Sequence, residues 1–113
     1  MLIDTQDYTP KLMAAIGELG QAAPKLLPGF HALDGAAAKD GVLDAKTREL
    51  ISLAVAVTTR CDGCIAVHSA AAQKAGASRA EVAAALSVAI ALNAGAALVY
   101  SARALDAFGQ QEG

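Results

Sequence analysis

A run of nineteen residues without a charged side chain, VAAALSVAIALNAGAALVY from Val82 to Tyr100, constrains the fold of this chain more than any other feature. A transmembrane helix needs about 20 strongly apolar residues, but many residues of this run are alanine, and Ser87, Asn93 and Gly95 interrupt it. We therefore expect helices that are buried on more than one side, and no membrane partner. Because a small domain has a limited interior, such helices predict a subunit interface and a homo-oligomer.

Composition indicates the same class of fold. Hydrophobic residues make up 55% of the 113 residues, and alanine dominates them. Alanine is the strongest helix former and a weak strand residue, so we expect a single all-α domain spanning residues 1–113. The net charge is −2, neither sign is clustered, and aromatic residues are 4% of the chain. A nucleic-acid surface needs clustered basic and stacking side chains, so nucleic acid is not an expected partner.

Capping residues and helix breakers divide the chain into about six predicted helices. Ser78 and Glu81 form a capping box, and the triplet Asn93-Ala94-Gly95 is expected to separate the last two helices. The predicted helices run from about Pro10 to Ala22, from Gly29 to Lys39, from Asp44 to a break at Thr58, from Cys61 to Gly76, from Ser78 to Asn93 and from Gly95 to Phe108.

The segment TTRCDGCIAVHSAA, residues 58–71, contains both cysteines, spaced C-x-x-C, and one of the two histidines. Cys61 and Cys64 lie at the start of a predicted helix, where free N–H groups and the helix dipole favour a thiolate. Cys64 and His68 are an i, i+4 pair on one helix face, so His68 can exchange a proton with Cys64 or with a leaving group.

Glu49 joins this group if the third and fourth helices form an antiparallel hairpin that turns at residues 58–60. Glu49 and His68 would then lie at heights of roughly 15 Å and 12 Å above the turn, which is a near match. The carboxylate would orient the imidazole, as it does for many catalytic histidines. Taken alone, however, Glu49 has the character of a surface helix residue.

Other interpretations of the cysteine segment remain open. The two cysteines could be small buried hydrophobic residues. They could also bind zinc together with His68, although only His31 or a carboxylate remains as a fourth ligand. No basic segment followed by an apolar core opens the chain, so we expect a cytoplasmic protein. In that compartment, a C-x-x-C pair is more often catalytic or metal-binding than structural.

The segment KTRELISLAVAVTTRCDGCIAVHSAAAQKAGASRAEVAAAL, Lys46 to Leu86, resembles the AhpD-like alkylhydroperoxidases of the carboxymuconolactone decarboxylase superfamily. The elements that carry the resemblance are Glu49, twelve residues before Cys61, then the C-x-x-C pair, and His68, four residues after Cys64. One position departs from the pattern. The best-known peroxidase members have C-x-H-C, whereas Gly63 precedes the second cysteine here.

The resemblance implies an all-helical protein that assembles as a trimer or hexamer and reduces hydroperoxides without a cofactor or metal. Cys64 would attack the peroxide, Cys61 would resolve the product to a disulfide, and Glu49 and His68 would relay protons. An external thiol would then reduce the pair. A non-catalytic redox sensor or a general thiol–disulfide oxidoreductase on the same scaffold is the alternative.

Overall fold

Helices alone form the regular secondary structure of residues 1–112, the part of the chain that the computed structural model describes. The all-helical class predicted from composition is confirmed. Within these residues there are five helices: α1 (Thr5–Ala22), α2 (Leu26–Asp40), α3 (Ala45–Thr59), α4 (Asp62–Lys74) and α5 (Arg79–Gln111).

The prediction of about six helices is wrong, because the last two predicted helices are one continuous helix, α5, of 33 residues. Asn93 does not end it, because its side-chain amide is hydrogen-bonded to the helix and to its neighbour: Nδ2 donates to the backbone oxygen of Ala89 (2.7 Å) and to Oγ1 of Thr58 on α3 (2.9 Å). A glycine such as Gly95 lowers the stability of a helix interior by only about 1 kcal/mol relative to alanine. At 1.5 Å per residue, α5 is about 50 Å long.

The first two helices begin earlier than predicted. Asp4 caps α1, where its carboxylate accepts hydrogen bonds from the backbone N–H groups of Gln6 and Asp7 (3.2 and 3.3 Å). Pro10 therefore lies inside α1 rather than at its first position. Pro28 falls in the first turn of α2, where its missing N–H group has no helical partner to lose. Proline is thus a less exact marker of a helix start here than the acidic cap.

The centre of the fold is a hairpin of α3 and α4, with α5 packed against α3 and α1 against α4. Its interior is small, because the side chains are small. The buried hydrophobic residues among those described are Leu53, Ala56, Ala66, Ala72 and Ala89. Alanine allows close approach of helix backbones, but it buries little apolar surface per residue. The core therefore supplies limited hydrophobic stabilisation to a single chain.

Within a single chain, helix α5 is covered on one side only. By length and composition it could cross a membrane, and only 6% of its most apolar stretch is buried. Ala89 is its only buried residue in the described chain, because α3 covers one side and no other helix of the same chain covers the rest. Most of its apolar surface is left uncovered.

Candidate active site

The turn between α3 and α4 sets the position of the cysteine pair. Arg60 ends α3 in the left-handed conformation (φ 55°, ψ 51°), which costs a residue with a side chain roughly 1–2 kcal/mol. The N–H group of Cys61 donates to the backbone oxygen of Ala56 (3.0 Å), which satisfies one of the free carbonyls at the helix end. The chain thereby reverses within two residues, and α4 begins at Asp62.

Cys61 is the N-cap of α4, a role usually taken by serine, threonine, asparagine or aspartate. Its Sγ accepts a hydrogen bond from the backbone N–H of Cys64 (3.1 Å). The two residues form a disulfide, with their Cα atoms 5.2 Å apart. Both sulfurs lie at the positive end of the α4 dipole, an environment that favours the thiolate after reduction.

Glu49 on α3 and His68 on α4 meet across the hairpin. Nδ1 of His68 donates to Oε2 of Glu49 at 2.6 Å, and the two side chains are only 27% and 21% exposed. An ionised carboxylate can only accept hydrogen bonds, so the proton of this bond belongs to Nδ1. In the neutral ring, Nε2 is then the nitrogen that is free to accept a proton. The hairpin geometry places these two residues together, as predicted.

Cys64 and His68 line one cavity of about 270 Å³ at the surface of the hairpin. The other wall is the face of α3 that carries Glu49. Ser52, Ala56 and Thr59 follow Glu49 at helical spacing on that face. These wall residues belong to no motif and were not predicted, although their i+3, i+7 and i+10 spacing from Glu49 identifies them once Glu49 is assigned to the interior. Ile51 and Val55 complete the lining.

Two residues of α1 that the sequence analysis missed lie beside the cysteine pair. A Cβ atom on Gly63 would be 2.6 Å from Cδ2 of Leu12 and 3.9 Å from the hydroxyl oxygen of Tyr8. Helix α1 thus occupies the space into which a side chain at position 63 would extend. No local pattern could have predicted this contact, because about fifty residues separate the two segments.

The metal-site alternative is not supported by the arrangement of side chains. In residues 1–112, no three histidine, cysteine, aspartate or glutamate side chains form a group that could hold a metal ion. His31 lies on α2 with its ring 5.9 Å from that of Phe30 and does not line the cavity of Cys64 and His68. A larger cavity of about 660 Å³ between α1 and α4 has neither cysteine nor histidine in its lining.

An ion pair joins the first turn of α3, which is the end away from the cysteine pair, to the first turn of α5. Nζ of Lys46 lies 2.8 Å from Oε2 of Glu81, while the other carboxylate oxygen of Glu81 accepts from the N–H of Ser78 (2.9 Å). The hydrogen bond from Lys46, followed by those from Ser78, lowers the pKa of Glu81 to about 2. The same partner raises the pKa of Lys46. The capping box predicted from the sequence is present and is joined to a second helix.

Comparison with known proteins places this arrangement in a family. The model of the carboxymuconolactone decarboxylase family matches residues 24–107. The chain belongs to the carboxymuconolactone decarboxylase family, and the resemblance seen in the sequence is confirmed. Helix α1, which packs against Gly63, precedes the matched region.

Relatives extend over the whole chain. An uncharacterized protein of Haemophilus influenzae is 59% identical over 112 residues, which are 99% of both chains. "Uncharacterized protein 4 in cox locus" of Paracoccus denitrificans is 36% identical and covers 92% of this chain and 94% of its own. The crystal structure of an apo carboxymuconolactone decarboxylase family protein from Legionella pneumophila superposes with a TM-score of 0.73 at 39% identity. That match covers 94% of this chain and 95% of the other.

Proposed function

We propose that this protein is a thiol-dependent hydroperoxide reductase that uses Cys64, Cys61, His68 and Glu49. The observation that carries the proposal is the cavity that Cys64 and His68 share, together with the 2.6 Å hydrogen bond by which Glu49 holds the His68 imidazole. The family contains alkylhydroperoxidases as well as decarboxylases. A bonded pair of cysteines favours redox chemistry over decarboxylation, because two thiols and one disulfide interconvert by the transfer of two electrons.

In the first step, Nε2 of His68 takes the proton of the Cys64 thiol, and the resulting thiolate attacks the terminal oxygen of the hydroperoxide as the O–O bond breaks. Cys64 becomes a sulfenic acid, and the departing alkoxide takes a proton from Nε2 of the His68 imidazolium to form the alcohol. Positioned acids of this kind contribute about 10²–10⁴-fold to rate. Glu49 acts as a positioning residue, because its bond to Nδ1 fixes the imidazole and leaves Nε2 as the ring nitrogen that can exchange a proton.

In the second step, the Cys61 thiolate attacks the sulfur of the Cys64 sulfenic acid. A disulfide forms, and the hydroxide leaves as water after it takes up a proton. An external dithiol then reduces the disulfide by thiol–disulfide exchange and is itself oxidised. The complete cycle converts a hydroperoxide and two thiols into an alcohol, water and a disulfide. It requires no bound cofactor, and a reductant of this kind is consistent with a cytoplasmic location.

The test is a steady-state assay with cumene hydroperoxide or t-butyl hydroperoxide and dithiothreitol. The wild type should turn over, Cys64→Ser should be inactive, and His68→Ala should lose about 10²-fold or more of kcat. His31→Ala is the matched control, because His31 is the other histidine and lies away from the cavity. Full activity of Cys64→Ser would rule out the proposal.

A redox sensor or general thiol–disulfide oxidoreductase is the second candidate, and Gly63 is the observation that favours it. Helix α1 fills the space beside Gly63, where peroxidase members of the family are expected to have a histidine. The same assay separates the candidates. A disulfide that forms with peroxide but supports no turnover indicates a sensor, whereas rapid reduction of a disulfide substrate without peroxidase activity indicates an oxidoreductase.

A further inference from the structure

Two hydroxyl-bearing residues of α3, Ser52 and Thr59, line the cavity of Cys64 and His68, and both hydroxyl protons are used within the helix. Each side chain donates to the backbone oxygen of the residue four positions earlier, Ser52 at 2.8 Å and Thr59 at 3.0 Å. A hydroxyl group has one proton and two lone pairs, so each oxygen can still accept a hydrogen bond but has no further proton to donate. In residues 1–112, no group donates to either oxygen.

Thr58, the residue before Thr59, shows what such a hydroxyl does when a donor is present. Its Oγ1 donates to the backbone oxygen of Ala54 (2.9 Å) and accepts from Nδ2 of Asn93 (2.9 Å). The hydrogen bond back to the helix therefore leaves a lone pair that a second partner can reach at an ordinary distance. Ser52 and Thr59 have the same bond back to the helix without the second partner, and the open space beside them is the cavity.

The imidazole in the cavity wall has the same character. Nδ1 of His68 donates to Glu49 (2.6 Å), so Nε2 of the neutral ring is a third acceptor. No lysine or arginine lines the cavity within the described chain. The other lining residues are the cysteine and three aliphatic side chains, Ile51, Val55 and Ala56. The cavity is therefore matched to a ligand that brings its own proton, because a ligand with lone pairs alone would leave these acceptors unpaired.

The two hydroxyl acceptors lie at different levels of the hairpin. Counted from the turn at 1.5 Å per residue, Cys64 is roughly 3 Å along α4 and His68 is roughly 9 Å along it. On α3, Thr59 is the last residue, next to the turn, and Ser52 is roughly 10 Å away from it. A hydroperoxide between the sulfur and the imidazole therefore has one hydroxyl acceptor at each end.

We propose that Thr59 accepts the terminal O–H group of the hydroperoxide and that Ser52 accepts the O–H group of the alcohol product. The cavity then selects ligands that donate an O–H proton, such as a hydroperoxide or an alcohol, over an ether or a carboxylate anion of similar shape. The assignment rests on the proposed function, because it names the groups that hold the substrate and the product of that reaction.

The two acceptors act in succession. After His68 has taken the proton of Cys64, Thr59 holds the terminal oxygen next to the thiolate, and the other oxygen accepts from Nε2. As the O–O bond breaks, the terminal oxygen moves to sulfur with its proton, so the sulfenic acid keeps the hydrogen bond to Thr59. The proton of Nε2 goes to the other oxygen, and the O–H group formed there donates to Ser52.

The first test concerns Ser52 and needs no peroxide. In a Cys61→Ser background, Cys64 is alkylated with iodoacetamide in the presence of 2-phenyl-2-propanol, its methyl ether or the 2-phenylpropanoate anion. The alcohol should protect Cys64 at a concentration about fivefold lower than the ether or the anion, which is the effect of one neutral hydrogen bond. Ser52→Ala should remove this advantage. Ser87→Ala is the matched control, because Ser87 on α5 makes the same bond back to its helix (2.9 Å) and lies outside the cavity lining.

Two results of this test would overturn the assignment of Ser52. One is equal protection by the alcohol and the ether. The other is no protection by the alcohol up to the limit of its solubility. A loss of protection by both the alcohol and the ether in Ser52→Ala would show a structural role and would contradict the assignment as well.

The second test concerns Thr59 and compares two reagents on the reduced protein. Thr59→Val should slow the oxidation of Cys64 by t-butyl hydroperoxide about fivefold and leave its alkylation by iodoacetamide unchanged, because iodoacetamide has no O–H group. Thr59→Ser should keep the wild-type rates. Thr58→Val is the control, because Thr58 is the neighbouring hydroxyl with the same bond back to the helix and lies outside the lining.

An unchanged rate of oxidation in Thr59→Val, or an equal slowing of oxidation and alkylation, would overturn the role of Thr59. A wild type that reacts with no hydroperoxide would instead reject the proposed function. Protection of Cys64 by the alcohol would still show the acceptor at Ser52 in that case, so the two failures are distinguishable.

Discussion

Leu12 packs directly over Gly63, so that a Cβ atom at position 63 would lie 2.6 Å from Cδ2 of Leu12. This contact joins α1 to the turn of the C-x-x-C motif. A histidine at position 63 would fit only if the end of the Leu12 side chain moved away.

The Leu12–Gly63 contact predicts a favourable coupling between two substitutions. Gly63→His should be destabilising alone, since the ring displaces Leu12, and Leu12→Ala should be destabilising alone, since it opens a gap. The double variant should be more stable than the sum of these effects by about 1–2 kcal/mol. Urea unfolding of the four proteins measures the coupling, and additive effects would contradict it. If the missing histidine limits peroxidase turnover, the double variant should also exceed the wild type in kcat.

Reduction of the Cys61–Cys64 disulfide should leave the fold intact. The bond closes a loop of only four residues, and the chain-entropy model gives about 2 kcal/mol for a loop of that length. Dithiothreitol should therefore lower the free energy of unfolding by no more than about 2 kcal/mol, with an unchanged helical circular dichroism spectrum. The Cys61→Ser/Cys64→Ser variant, which has no disulfide, should not respond. Global unfolding on reduction would show a structural bond instead of one suited to cycling.

Glu49→Gln should lower kcat for hydroperoxide by about 10²-fold without preventing formation of the disulfide. The amide keeps the shape of the side chain but loses the charge that directs the proton of His68 to Nδ1. A shift in the pH profile of kcat distinguishes this effect from a loss of stability, and Glu49→Asp should restore part of the rate. Glu18→Gln on α1 is the control, because Glu18 is exposed on another helix. An unchanged kcat and pH profile in Glu49→Gln would remove Glu49 from the mechanism.

The Lys46–Glu81 ion pair predicts how stability depends on acid. The folded state holds the pKa of Glu81 at about 2, below its ordinary value of 4.5, chiefly through the hydrogen bond from Lys46. A lowered carboxyl pKa stabilises the fold above about pH 4.5 and loses that effect as the pH falls toward 2. The Tm of the wild type should exceed that of Glu81→Gln at pH 7, and the difference should shrink between pH 4.5 and pH 2.

The Lys46→Met variant is the control for this dependence. It removes the first cause of the lowered pKa and should reduce the difference in Tm between carboxylate and amide at position 81. Because the pair is exposed at the surface, the effect should also weaken as salt is added. A difference in Tm that stays constant from pH 7 to pH 2 would show that Glu81 acts through packing rather than charge.

Interactions between residues close in the sequence determined most of the secondary structure and part of the candidate site. Alanine content made it helical, Asp44 and Ser78 set the starts of α3 and α5 through hydrogen bonds to backbone N–H groups, and the i, i+4 spacing put Cys64 and His68 on one face. These features depend on residues within one or two helical turns, so the sequence is sufficient to predict them. The meeting of Glu49 with His68 was also predictable, because it follows from the length of a hairpin with a short turn.

Contacts between distant segments were decided only by the tertiary structure. The continuity of α5 through Asn93 depends in part on Thr58, which is 35 residues away, and the filling of the space beside Gly63 depends on Leu12. The large uncovered surface of α5 is likewise a consequence of how few helices pack against it. Such features depend on which packing arrangement of the whole chain has the lowest free energy. A pattern of neighbouring residues does not predict that arrangement, because the competing contacts join distant segments.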